Sequence, residues 1–265
     1  MHRQMKRFPR NPYSVTNVMD VWECDLVDIQ SVVKFNDNHK YILTVIDVFS
    51  KYLHMVPLKV KTGAATASAF ESVLRDPKYR RRRPICVRTD KGKEFLAVLK
   101  REVIQFQVCK NPDVKCSIVE RAHRTVKNRI YKYFTYNNTY RYIDVLPKFV
   151  NAYNATVHAA TGMAPAKVID LDVLAIGRRM NDKRNRVPTV RPKLRVGQTV
   201  RISKENMKFA KGFEHNFSTE IFRIAKVIEL SPRLIYEPED QNKSPIDGQF
   251  YQEELTPVSV TRHTQ

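Results

Sequence analysis

The chain has 265 residues, 42% of them hydrophobic and 28% charged, enough apolar material for one large domain or two modest ones and too much for a disordered polymer. Lys and Arg total 47 against 27 Asp and Glu, and a net charge of +20 costs self-repulsion unless the surface meets a polyanion, of which nucleic acid is the commonest. No apolar run is long enough to span a bilayer, and seven glycines never closer than 15 residues spell neither a phosphate-cradling loop nor a G-x-S-x-G elbow, so membrane insertion, nucleotide cofactors and serine-hydrolase chemistry are excluded.

Residues 1–18 are basic and proline-containing, with no apolar segment behind the charges, and read as a flexible arm rather than a signal peptide. A strand over Val21–Ile29 comes next, then a β-rich run from Tyr41 to Leu58 that reads as a hairpin bending near Ser50 and Lys51. Thr62 can cap a helix reaching Arg75, with Ala67, Phe70, Val73 and Leu74 as its apolar stripe. After the basic stretch Arg80–Arg83, alternation of Ile85, Val87 and Thr89 predicts a short strand ending at Asp90. A helix from about Glu94, a strand near Phe106–Cys109, a long helix over Ser117–Tyr136 and another over Ile143–Ala155 complete a mixed α/β sheet flanked by helices.

Residues 170–193 change character. Between Arg178 and Arg195 there are eight basic residues and one acid, with prolines at 188 and 192, a cationic linker composition. Short β-type segments follow at Thr199–Ser203, Ile221–Leu230, Leu234–Tyr236 and Gln249–Tyr251, suggesting a small barrel over 194–258, with Phe209, Phe213 and Phe217 in its core, before a tail at 259–265. The core domain is thus expected over 19–169. Four cysteines without a C-x-x-C pair and seven histidines without close pairs point to reduced thiols, an intracellular setting and no structural zinc.

Carboxylates inside apolar strands require a reason, because burying an unpaired charge is costly. Asp25 lies within W-E-C-D-L-V, and Asp90 ends a strand, where sheet proteins place ligand-binding groups. Two such acids brought together repel unless a cation separates them, and Mg²⁺ or Mn²⁺ prefers oxygen ligands. In the Ser117–Tyr136 helix, Ile118, Val119, Ala122, Val126, Ile130 and Tyr133 share one stripe, while Glu120, Arg124, Lys127 and Tyr131 line the opposite face. A solvated face with an i,i+4 Glu–Arg pair is the bland account; a metal ligand followed by phosphate-binding bases is the functional one. Asp28 faces away from Asp25 and reads as a surface or capping acid, Asp47, in the adjacent hairpin strand, as a structural acid or one that supports the site residues from behind. His123, beside Glu120, could pass for a general base.

The motifs W-E-C-D-L-V-D, V-I-D-V-F-S-K-Y (45–52), T-D-K-G-K-E-F (89–95) and S-I-V-E-R-A-H-R-T-V-K (117–127) resemble the D,D,E core of retroviral and transposon integrases, a ribonuclease-H-like domain. The form T-D-K-G-K-E-F looks closest to integrases of Polinton or Maverick transposons, and the tail resembles the SH3-like or chromo-like barrel that follows many integrase cores. The resemblance covers about residues 18–170. It implies that Asp25 bridges two Mg²⁺ or Mn²⁺ ions about 3.5–4 Å apart, that Asp90 and Glu120 each complete one, and that end processing and strand transfer proceed by in-line attack on phosphodiesters. It also implies DNA partners (element ends and target duplex), a homo-oligomer and a nuclear location. Integrase cores usually have Asn at the place of His123, which implies a structural or DNA contact there instead of a general base. DNA contacts are expected at Arg124, Lys127, Lys91 and Lys93, with Arg80–Arg83 and the 178–195 segment as a non-specific phosphate grip, although solvated loops or a nuclear-import signal would look the same. The 29 residues between Asp90 and Glu120 are fewer than the family usually has, and its N-terminal His-His-Cys-Cys module is not in this sequence. The rival readings are an integrase-derived DNA-binding protein without catalysis and a nuclease acting on RNA in hybrids.

Overall fold

The structure, a computed structural model, describes residues 8, 11, 13, 15–77, 83–89, 95–108, 116–185, 192–203, 216–230, 233–246 and 248–258. The chain divides into two compact units, Ser14–Asp182 and the pair of segments Met1–Tyr13 and Lys183–Gln265.

The first unit is built on a five-stranded sheet in the order β3-β2-β1-β4-β5. Strands β1 (Val21–Asp28), β2 (Tyr41–Asp47) and β3 (Leu53–Leu58) form an antiparallel meander; β4 (Cys86–Thr89) joins β1 in parallel and β5 (Gln105–Val108) joins β4 in parallel. Helices α1 (Gly63–Leu74) and α2 (Leu96–Arg101) cover one face, where Phe70, Val73, Leu74 and Leu99 pack with Trp22, Cys24, Leu43, Val45 and Val87. Helices α3 (Ser117–Asn137) and α4 (Leu146–Ala155) cover the other, against Val27, Ile42, Ile46 and Leu53. Successive strand residues point to opposite faces, so a central strand with helices on both sides is apolar in both parities. That is why β4 does not alternate as its sequence suggested: Ile85 lies outside the strand and is 59% exposed, whereas Val87, Arg88 and Thr89 are all buried.

Local chemistry sets the helix ends. The Thr62 hydroxyl accepts from the Ala65 N–H and caps α1. Asn138, at φ 46°, ends α3 in the left-handed conformation asparagine tolerates. Helix α4 starts later than its apolar pattern suggested. The N–H groups of Tyr142 and Ile143 are taken by the buried Asn36 side chain, and Pro147 fits the first turn. The segment read as linker carries a helix, α5 (Val173–Asn185), because Val173, Ile176 and Met180 make a stripe that packs with Phe49 and Val168. Among the described residues no helix is long and apolar enough to cross a membrane.

The second unit holds an all-antiparallel sheet of β6 (Thr199–Ile202), β7 (Phe222–Ile228), β8 (Ile235–Glu239) and β9 (Leu255–Pro257), ordered β8-β7-β6-β9. Leu194, Val200, Phe222, Ile224, Tyr236 and Leu255 form its core, an arrangement compatible with a small barrel. Gln249–Tyr251 makes only a bridge from Phe250 to Tyr236, and β9 was not foreseen. Phe217 pairs with Ser203, while Phe209 and Phe213 lie outside the described residues. Of the basic arm, Asn11 bonds Arg233 and Tyr251, and Phe8 packs edge-on against Tyr251.

Candidate active site

Strand β1 sends Trp22 and Cys24 toward α1, and by the same alternation sends Glu23, Asp25 and Val27 toward α3. Asp25 keeps about a third of its side chain exposed; its Oδ1 accepts the Leu26 N–H at 2.8 Å, and its Oδ2 lies 3.6 Å from His123 Nδ1. Glu120 is exposed in the first turn of α3, where the helix dipole favours a carboxylate. It stands three residues before His123, and such pairs are neighbours on a helix surface, about 5–6 Å between Cβ atoms. His123 thus has Asp25 on one side and Glu120 three residues before it, at the corner where β1 meets the first turn of α3.

Farther along α3, Arg124 is exposed, Lys127 half-buried and Tyr131 58% exposed, while Val119, Ala122, Val126 and Ile130 are buried. The Glu120–Arg124 ion pair of the bland account is not formed: among the described residues no cation pairs with the Glu120 carboxylate. His123 is buried, and burial, with Lys127 adding to it, pushes the imidazole down to about 4. It is thus neutral at physiological pH, and at 3.6 Å its approach to Asp25 is neither an ion pair nor a good hydrogen bond.

Glu23, two residues before Asp25, was not singled out from the sequence. Its side chain is 1% exposed, 3.2 Å from Arg88 of β4, and its Oε2 accepts the Ile118 and Val119 N–H groups, each at 3.0 Å. Burial pushes this carboxyl above the usual range; the Val119 N–H, Arg88, the Ile118 N–H and Lys51 pull it back toward the charged form. Lys51, in the turn between β2 and β3, is itself pushed down to about 8 by burial, against the fields of Glu23 and Asp47. The signal was present: Glu23 has the parity of Asp25, and Arg88 that of Asp90.

The remaining acids have structural partners. Asp47 is buried and accepts from Met19 N–H, Ser50 N–H and the Ser50 hydroxyl, closing the β2–β3 turn. Asp28 is exposed and accepts from the backbone and side-chain nitrogens of Gln30, which hold its carboxyl below the ordinary range. Asp90, Lys91, Lys93 and Arg80–Arg82 lie outside the described residues, as does Cys109. Asp90 directly follows Thr89, whose partner on β1 is Cys24. Arg83 is occupied by the Leu74 carbonyl and Glu102. Among the described residues no three His, Cys, Asp or Glu side chains come together to hold a metal ion. The donors at the corner are carboxylate oxygens beside a neutral imidazole, a set that fits a hard divalent cation once a third carboxylate joins it.

The sheet order, with helices on both faces and α3 crossing beside β1, defines a ribonuclease-H-like fold of the integrase-core type, followed by a smaller all-antiparallel unit. No protein-family model matches the chain. An uncharacterized transposon-derived protein of Caenorhabditis elegans is 34% identical over 193 residues, 71% of this chain and 64% of that protein, so the chain spans just under two thirds of the length of the curated relative it matches. Among solved structures, a chain of the simian T-cell lymphotropic virus intasome in complex with the PP2A regulatory subunit B56 gamma is similar over 99% of this chain and 85% of its own, with TM-score 0.63 and 14% identity. The catalytic core of HTLV-2 integrase, solved in complex with magnesium, matches 56% of this chain and 94% of its own at TM-score 0.44 and 19% identity.

Proposed function

We propose that this chain is an integrase of mobile-element origin that processes DNA ends and joins them to target DNA through Asp25, Asp90 and Glu120. The observation that carries the reading is His123, which lies 3.6 Å from Asp25 of β1 and three residues after Glu120 on α3, with Arg124 and Lys127 farther along the same helix. The similarity to a transposon-derived protein and the fold shared with an intasome chain support it. The three carboxylates would hold two Mg²⁺ or Mn²⁺ ions, whose chemistry when bound is to activate water or a 3′-hydroxyl and to stabilise the leaving oxygen. Arg124, Lys127, Lys91 and Lys93 position the phosphate backbone by charge-assisted contacts, and exposed Arg178 and Arg179 extend the grip. His123, being neutral and buried, shapes the corner without moving protons. The T-D-K-G-K-E-F motif favours the Polinton or Maverick type, the antiparallel unit an SH3-like barrel, and the reaction a nuclear homo-oligomer assembled on DNA.

The test is nicking and strand transfer on labelled duplex ends in Mg²⁺ or Mn²⁺, comparing the native chain with Glu120→Gln. Metal-dependent products that vanish in the variant support the integrase. Binding without products in either protein leaves an integrase-derived DNA-binding protein, and cleavage confined to the RNA strand of a hybrid makes the chain a ribonuclease.

A further inference from the structure

Helix α3 begins without a side-chain cap of its own. Its N-cap residue is Cys116, which makes no capping hydrogen bond, yet the first N–H groups of any helix need acceptors from outside it. For Ile118 and Val119 that acceptor is Glu23 Oε2, from a strand 95 residues away in the sequence. The same carboxylate pairs with Arg88, its direct partner across the parallel β1–β4 ladder. One buried side chain thus ties together three elements at three particular points. On β1 it stands two residues before Asp25; on α3 it holds the residue before Glu120; on β4 it grips the residue two before Asp90.

We propose that Glu23 is a positioning residue, the latch that sets the first turn of α3, and with it Glu120, against Asp25 and the end of β4. What that positioning serves rests on the integrase reading. A negative charge seated on a helix N-terminus and neutralised by a guanidinium is a fixed point, because either partner left alone in the interior would be strongly unfavourable. An ordinary fold-stabilising ion pair would need only Arg88. The two N–H contacts aim Glu23 at the turn that carries the expected metal ligand.

Replacing Glu23 alone strands Arg88, so the test uses two double variants that both remove the ion pair. Glu23→Gln with Arg88→Met keeps an oxygen acceptor for the helix start; Glu23→Leu with Arg88→Met does not. Two quantities are read on the full chain: amide exchange at Ile118 and Val119 in chelator, and Mn²⁺ affinity by electron paramagnetic resonance. The Gln variant is expected to stay within about threefold of native in both. The Leu variant is expected to exchange those amides at least about tenfold faster and to bind Mn²⁺ at least about tenfold more weakly, the scale set by losing a helix cap. Unchanged exchange in the Leu variant overturns the latch, and so does faster exchange with native Mn²⁺ affinity. If the native chain takes up no Mn²⁺ that Glu120→Gln abolishes, the integrase reading falls by itself, and the exchange data decide whether Glu23 sets the helix.

Discussion

Removing Arg124 and Lys127 together should flatten the salt dependence of DNA binding by an amount the helix geometry sets. Glu120 and Lys127 are seven residues apart, about 10 Å at 1.5 Å per residue, which is about three base-pair steps of duplex. On the proposed function the two bases would reach phosphates flanking the one held at the carboxylates. Each phosphate contact adds about 0.9 to the slope of log K against log salt, or about eightfold in affinity at 0.1 M salt. Arg124 is exposed and should contribute this in full; Lys127 is half-buried, lies in the field of Asp28, and should contribute somewhat less. The double variant Arg124→Gln, Lys127→Gln is expected to lose about 30- to 60-fold in affinity and about 1.5 to 1.8 in slope. Fluorescence anisotropy of a labelled duplex across a salt series measures both. Arg75→Gln is the control, since Arg75 caps α1, which packs on the opposite face of the sheet. A native slope in the double variant, or an equal loss at Arg75, would refute the α3 face as the DNA surface.

Two further outcomes follow from buried groups. Asn36 is fully buried, donates to the Val32 and Tyr140 carbonyls and accepts from the Tyr142 and Ile143 N–H groups, so Asn36→Ala should cost about 3–4 kcal/mol in urea unfolding; a loss under about 1 kcal/mol would contradict it. Lys51 has its folded pKa lowered to about 8 from 10.5. Between those values the folded chain has released a proton that the unfolded chain still holds, so stability rises with pH there, and below the window the burial cost is felt in full. Relative to Lys51→Met, the native chain should gain about 2–3 kcal/mol between about pH 7 and about pH 10; a flat difference would refute the shift.

Much of the first unit was legible because periodicity and chemistry agree in it. Thr62 caps where a threonine before an apolar stripe should, and α3 spans almost the residues its two faces outline. Asp25 stood out as a carboxylate in an apolar strand, and Glu120 as the first member of a polar face. Glu23 did not, because a single acid in the strand, Asp25, already accounts for the motif. A strand-to-helix contact over 95 residues leaves no local trace beyond parity. Helix α5 was hidden by composition: a high density of Arg and Lys reads as linker, and only Val173, Ile176 and Met180 betray the stripe that packs on Phe49. Strand β9 is three residues long, below what any pattern resolves.

The most direct test of the central claim is the single-turnover nicking rate on a duplex end in Mn²⁺, for Asp25→Asn, Asp90→Asn, Glu120→Gln and the control Asp28→Asn, with DNA affinity measured alongside. The account predicts that each of the first three lowers the rate at least about a thousandfold at native affinity, while Asp28→Asn, an acid occupied with Gln30, stays near native. A native rate in any of the three would contradict the assignment of these carboxylates as the reactive centre.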